Sequence, residues 1–240
     1  MSFKNHFNTY EFESILPGSG EPIKFKPIRT KEIKKLLAYE NVENYREVEN
    51  VLDEMIKLSV IDEDFNIDDL YLQDRFYLLT DIRKKSKGEN VEFEYKCPEC
   101  GSQTYISFNL DSLETKKLDN SVDNKIQLTD TISIYIWYIT RGLEKEAIEK
   151  SESDNINSPE VQFNIITQGI QAVETPDGKE ENLPFEDKQF IVDNMTTGDL
   201  DKLKNWYEKN HFGLDFRIEK KCKQCSYKEY TEVPLHNFFF

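Results

Sequence analysis

The sequence predicts an α+β fold, mainly helical, in which two β-hairpins near the ends of the chain close its N- and C-terminal parts on each other. Three observations carry that reading. Apolar residues recur at spacings of three and four through most of the chain between residues 30 and 210. Four cysteines fall as two pairs, Cys97-Pro98-Glu99-Cys100 and Cys222-Lys223-Gln224-Cys225, each flanked by alternating, β-rich stretches. The 240 residues include 16 Phe and 12 Tyr, enough aromatic mass for a sizeable core although 32% of the chain is charged.

Taken in order, residues 1–29 read as an extended arm. Pro17-Gly18-Ser19-Gly20 is a turn, and Pro22 to Ile28 alternates as a short strand that Pro22 and Pro27 confine to an edge. Thr30 caps a helix with Ile33, Leu36 and Leu37 on one face. A second helix carries Val48, Val51, Leu52, Met55, Ile56 and Val60. A third is expected from Asp68 or Asp69 to about Lys85, with Leu72, Phe76, Leu79 and Ile82 as its buried stripe. Arg83, Lys84 and Lys85 fill its last turn, where cations complement the helix dipole, and Gly88 ends it.

The first cysteine pair follows, between Val91-Glu92-Phe93-Glu94-Tyr95 and Thr104-Tyr105-Ile106-Ser107-Phe108. Beyond it, Lys125 to Leu128 and Thr131 to Ile136 read as strands. Helices are expected from Thr140 to about Lys150 and from the Ser158-Pro159 start signal, with Phe163, Ile166, Ile170 and Val173 on one face. Pro176-Asp177-Gly178 is a turn. Two further helices run from Phe185 to about Asn194 and from Asp199 to about Asn210, the latter capped by Thr197 or Asp199 and stopped by Gly213. The second cysteine pair then sits between Asp215 to Glu219 and Tyr227 to Val233.

Two residues between cysteines let both sulfurs of a tight turn face one ion, and two such turns supply the four thiolates of a tetrahedral zinc site. Cys97, Cys100, Cys222 and Cys225 are therefore the candidate ligands of one structural Zn2+ in a zinc-ribbon-like pair of hairpins. The 121 residues between Cys100 and Cys222 exceed the about 15–20 of compact ribbons. Closing the longer loop costs only about 1.7 kcal/mol more, against the roughly 10 kcal/mol that structural zinc supplies in small domains. Two redox dithiols, two disulfides or metal-free thiols are the alternatives. A redox dithiol normally opens a helix in a βαβ setting, which neither pair has. An all-cysteine ligand set leaves no open position for water, so catalysis at the metal is not expected.

The charge balance, 31 Lys and Arg against 46 Asp and Glu, gives −15 and leaves no basic segment to displace counterions from phosphates. Nucleic-acid binding and anionic membrane surfaces are disfavoured. No apolar run approaches the roughly 20 residues of a membrane span, and the opening MSFKNHFNTY has no apolar h-region, so synthesis without a secretory signal is expected. His6, His211 and His236 form no arrangement with a nucleophile or acid, and no phosphate-cradling loop or hydrolase elbow occurs. Acidic runs such as Asp62-Glu63-Asp64 and Glu180-Glu181 lack cation-loop spacing and read as solvated faces. No catalytic residue and no small-molecule substrate is assigned. The last residues, Val233 to Phe240, end on Phe238, Phe239 and Phe240, which must pack on the chain's own core or enter a partner's pocket.

The order of a strand, the KPIRTKEIKKLL helix, an apolar helix, a long helix ending DIRKKSKGENVEFEYKCPECG, and then FNLDSLE resembles the baseplate proteins of T-even-like contractile-tailed phages. So does the distal DLDKLKNWYEKN helix with CKQCS and a terminal Phe cluster. The resemblance covers roughly residues 22–115 and 185–240. It implies a non-enzymatic structural or assembly protein of the central baseplate hub, contacting other hub or tail-tube proteins, in the virion or in the host cytoplasm during assembly. Zinc rests on the cysteine spacing and is not implied by the family. The competing reading is an acidic zinc-ribbon module that binds a protein of a regulatory or transcription complex. A thiol oxidoreductase is a third. The expected organisation is an extended arm (1–29), a three-helix region with the first cysteine hairpin (30–115), a mostly helical central α/β insert (116–213), and the second hairpin with the aromatic tail (214–240).

Overall fold

In the computed structural model, which describes residues 10–36, 45–151, 153, 155 and 158–232, strands contribute far more than the helical periodicity implied. Of the described residues about 40% are helical and 27% are in strands, the strands lying in several small antiparallel sheets, so the expectation of a mainly helical fold is corrected to a balanced α+β one. The strands are two to seven residues long and mostly paired two by two. Elements that short carry little periodic signal of their own.

The N-terminal part begins with a hairpin of β1 (Phe12–Ile15) and β2 (Pro22–Phe25), in register Phe12 to Phe25 and Ile15 to Pro22. The turn between them packs tightly: the Gly18 and Ser19 amides donate to the two carboxylate oxygens of Asp74, at 2.6 and 2.9 Å. Helices α1 (Thr30–Leu36), α2 (Tyr45–Ser59) and α3 (Leu72–Lys87) complete this body. Its core gathers Leu16 and Phe25 from the hairpin, Met55 and Ile56 from α2, and Leu78, Leu79 and Ile82 from α3.

Helix α3 starts at Leu72, later than expected, because Ile67–Asp69 forms a separate 3-10 turn capped by Asn66. Its interior face also differs. Leu72 and Phe76 are only half-buried, while Asp74, Arg75, Thr80 and Arg83 are buried. Lys84 and Lys85 occupy its last turn as expected, joined by Lys87 because the helix runs to that residue, while Arg83 is buried; Gly88 at φ 98° ends it.

Strands β3 (Asn90–Lys96) and β4 (Gln103–Asn109) form the first cysteine hairpin, rooted in the N-terminal core by Val91 and Phe108. A two-residue strand β5 (Thr115–Lys116) follows. The central segment folds around a four-stranded antiparallel sheet of β6 (Lys125–Gln127), β7 (Ser133–Ile136), β8 (Ile170–Thr175) and β9 (Gly178–Glu181), in that order. Between β7 and β8 come α4 (Arg141–Glu149), capped by Thr140, and α5 (Pro159–Gln168), capped by Ser158 with Pro159 in its first turn. After β9 come α6 (Phe185–Asp193) and α7 (Thr197–Lys209), where Thr196 and Asp199 form a reciprocal capping box.

Ile170 and Val173 belong to β8 and do not continue the helix of Phe163 and Ile166. A short apolar run that prolongs a helical spacing is indistinguishable from a buried strand by periodicity alone. Ile134, Ile136, Ile170, Leu203, Trp206 and Phe212 form the core of this segment.

The chain returns through β10 (Gly213–Leu214), which pairs antiparallel with β5. Entry to and exit from the central segment therefore lie side by side. The second cysteine hairpin, β11 (Arg217–Lys221) and β12 (Lys228–Glu232), comes next, its root residues Phe216 and Ile218 packing on the N-terminal core.

Candidate metal centre

Both cysteine pairs sit at hairpin tips whose backbones follow the same pattern. In the first, the Cys97 amide donates to Ser102 O and the Gly101 amide to Cys97 O, both at 2.9 Å. In the second, the Cys222 amide donates to Tyr227 O at 2.8 Å and the Ser226 amide to Cys222 O at 3.0 Å. The residue after each second cysteine is in the left-handed region, Gly101 at φ 70° and Ser226 at φ 61°. Glycine adopts that conformation freely, whereas serine is strained there, so the second tip holds its shape against a local cost.

The two tips meet although they are far apart in sequence. All four sulfurs lie within 4.8 Å of one another, with Cys97 Sγ to Cys225 Sγ and Cys100 Sγ to Cys222 Sγ both 3.7 Å. A tetrahedron of sulfurs at about 2.3 Å from a central zinc has edges of about 3.8 Å. A disulfide requires about 2.05 Å, and all four cysteines are free thiols. Each tip contributes one buried sulfur, Cys97 or Cys222, and one exposed, Cys100 or Cys225. Tyr95, Ile106 and Tyr227 pack against the buried pair, and the Lys220 ammonium lies 4.2 Å from the centre of the Tyr95 ring.

The electrostatics fit a site completed by a cation. The Ser102 hydroxyl, 3.3 Å from Cys222 Sγ, is the first of the contacts that hold this thiol down at about 6, followed by the Cys225 and Gln224 backbone amides. Ser102 likewise lowers Cys100. For Cys225 the Tyr227 amide pulls downward, but desolvation and the three neighbouring sulfurs push it up to about 12. Four thiols this close cannot all ionise unaided; a divalent ion held by them would supply the missing positive charge.

The other sequence candidates are not gathered here. Phe238, Phe239 and Phe240 lie outside the described residues, as do His6 and His236. His211 lines a cavity at the root of the second hairpin. The acidic runs act locally: Asp62 accepts the Lys24 amide, and Glu181 pairs with Lys179.

One constellation escapes sequence reasoning entirely. Glu49 and Asp53 on α2, Arg75 on α3, and Arg141 and Glu144 on α4 form a buried ionic cluster. Asp53 accepts from Arg75 Nε at 2.7 Å and from Arg141 Nε at 3.0 Å, with the Lys145 ammonium 3.2 Å away. Arg75 Nη1 donates to the Glu49 carboxylate and Nη2 to the Glu49 carbonyl, and Arg141 Nη1 donates to the Glu144 carboxylate. Burial pushes Asp53 upward, but Arg75, Arg141 and Lys145 outweigh it and hold the carboxyl below the usual aspartate range. The cluster joins the central segment to the N-terminal helices. Two of its acids, Glu49 and Asp53, fall at i and i+4 on the amphipathic α2, which in sequence looks like an ordinary solvated face.

No helix among the described residues is long and apolar enough to cross a membrane. No curated protein and no solved structure matches the chain. A family model described as T4 bacteriophage base plate protein matches residues 7–240, including the central stretch that the sequence resemblance left uncovered. The chain therefore belongs to the T4 bacteriophage base plate protein family, whose place is in the tail of the virion.

Proposed function

We propose that this baseplate protein is a non-enzymatic structural or assembly component of the central hub, locked by one structural zinc ion on Cys97, Cys100, Cys222 and Cys225. The observation that carries this reading is the convergence of four sulfurs, from tips 121 residues apart, to within 4.8 Å of one another, with two of the separations at 3.7 Å, close to a tetrahedral edge. With all four positions taken by thiolates, the ion polarises no substrate; it rigidifies. It ties the end of the three-helix region (30–115) to the closing hairpin and tail (214–240). The β5–β10 pair sits where the central segment (116–213) would be inserted, in support of that division.

Partners are other tail proteins. The charge of −15 keeps an unassembled subunit soluble and favours partners that present basic patches. The family assignment favours the tail over a regulatory or transcription complex as the setting. The test is sedimentation of phage particles and tail assembly intermediates, probed for this protein. Presence in baseplate or hub fractions is expected, with loss of that association when Cys97 and Cys222 are both replaced by serine. Absence from every tail fraction, or undiminished incorporation of the doubly substituted chain, overturns the reading.

A further inference from the structure

The two cysteine hairpins share a pattern that extends beyond their cysteines. Three residues before each first cysteine stands a glutamate, Glu94 or Glu219, and five residues after each second cysteine stands a tyrosine, Tyr105 or Tyr230. The registers match as well: Glu94 lies opposite Tyr105 on β3 and β4, and Glu219 opposite Tyr230 on β11 and β12. Directly opposed side chains of an antiparallel pair have Cβ atoms about 5 Å apart, so each glutamate stands beside its tyrosine on one sheet face. Both faces are turned to solvent, with Tyr105 67% and Tyr230 75% exposed and both glutamates exposed.

The hairpins differ in what neutralises that glutamate. Three residues after its second cysteine the closing hairpin carries Lys228, whose ammonium lies 2.8 Å from the Glu219 carboxylate. The first hairpin carries Gln103 at the equivalent place. Glu94, and Glu92 next to it on the same face, are exposed and pair with no cation among the described residues. The hairpin surface is acidic overall, with Glu89, Glu92, Glu94 and Glu99 against Lys96 alone. Elsewhere the chain supplies cations to its own rings, Lys85 at 4.9 Å from the centre of Phe12 and Lys150 at 4.5 Å from that of Phe185. At the central sheet the set is complete: the Tyr135 hydroxyl donates to Glu174, and Lys125 pairs with the same carboxylate while lying 5.6 Å from the ring centre. Among the described residues no cation lies over Tyr105.

We propose that the outer face of the first cysteine hairpin docks a basic segment of a neighbouring tail protein, whose Arg or Lys side chain lies over the Tyr105 ring and pairs with Glu94. A guanidinium stacks on a ring and forks to a carboxylate at once, so arginine fits this pair best. Glu92 extends the acidic face for a second cation of the same segment. The proposal rests on the tail setting of the preceding reading and is independent of the zinc.

The test is competitive assembly. Wild-type and variant full chains with different tags are supplied in equal amount to a phage lacking its own copy, and their ratio is read by mass spectrometry in purified baseplates. Gln103→Lys gives Glu94 a cation of the chain's own, as Lys228 does for Glu219, and should be depleted at least about fivefold. Glu94→Gln removes the carboxylate and should be depleted to a similar extent. Gln103→Met, uncharged and of similar length, should enter at parity with wild type. Both positions are exposed, so the fold is kept in all three variants, and thermal unfolding checks it. Parity of Gln103→Lys or of Glu94→Gln with wild type overturns the proposal and leaves the tail setting intact. Equal depletion of Gln103→Met also overturns it, because bulk and not charge would then decide. Absence of the wild-type chain from baseplates overturns the tail setting and the proposal together.

Discussion

Replacing Asp53 with alanine removes the carboxylate that two buried guanidiniums share, since it takes Arg75 Nε at 2.7 Å and Arg141 Nε at 3.0 Å. Arg75 and Arg141 are essentially fully buried, so neither can turn to water for a substitute. Leaving a buried charge without its partner costs about 3–5 kcal/mol. In a chain of this length each kcal/mol moves Tm by about 2–4 °C, so Asp53→Ala should lower it by roughly 6–20 °C.

The assay is thermal unfolding by circular dichroism, extended to a cycle with Arg141→Met. The double variant should lose less than the sum of the single losses, because removing both partners leaves fewer unpaired charges. The pH dependence has a defined sign. A carboxyl whose folded pKa is depressed contributes stability that is present above its unfolded value, near about 3.9, and is lost as the pH falls through the folded one. The stability difference between wild type and Asp53→Asn should therefore shrink below about pH 4. It must be read as a difference, because Asp74 and Glu144, both raised by burial, contribute with the opposite sign. A Tm for Asp53→Ala within 2 °C of wild type, or strictly additive losses, would refute the reasoning.

Gly18→Ala should cost about 1–3 kcal/mol by overpacking, since the added Cβ would lie 2.5 Å from the Phe212 ring and 2.6 Å from Asp74 Oδ2. Denaturant unfolding measures it, and a neutral result would mean that the β1–β2 turn is free to withdraw from α3. Association with tail partners should weaken as salt rises from 50 to 500 mM, because an acidic chain docking on basic patches is screened over about 10 Å already at 0.1 M. Salt-independent affinity in a pull-down titration would place the docking energy in apolar contacts. Ser102→Ala should raise the pH at which the metal is released on acidification, since the Ser102 hydroxyl is the leading contact that favours the Cys222 thiolate. A colorimetric zinc-release titration reads the shift, and no shift would show that the backbone amides suffice.

The parts of the fold legible in sequence are those with local, redundant signals. Each cysteine hairpin is marked twice, by the CxxC turn and by alternation on either side. The starts of α4 and α5 follow from Thr140 and from Ser158-Pro159. Strand β8 was hidden because Ile170 and Val173 continue the spacing of Phe163 and Ile166. The pairing of Phe12–Ile15 with β2 was hidden because an edge hairpin leaves half its residues to solvent. Interior polar groups were the least legible. Arg75 and Asp74 are buried because their partners come from α2 and the Pro17–Gly20 turn, contacts that no local pattern encodes. The site itself lies between these extremes: spacing named the four cysteines, but only the folded backbone brings the two tips within 4.8 Å.

The most direct measurement of the zinc lock is elemental analysis of the full chain, purified reduced and without chelator. It should be made alongside the Cys97→Ser, Cys222→Ser double variant, with thermal unfolding before and after a strong chelator. One zinc per wild-type chain, none in the double variant, and a marked loss of Tm on chelation are predicted. Metal-free protein with unchanged stability, two zinc ions per chain, or a Cys97–Cys100 and a Cys222–Cys225 disulfide in the native protein would contradict it.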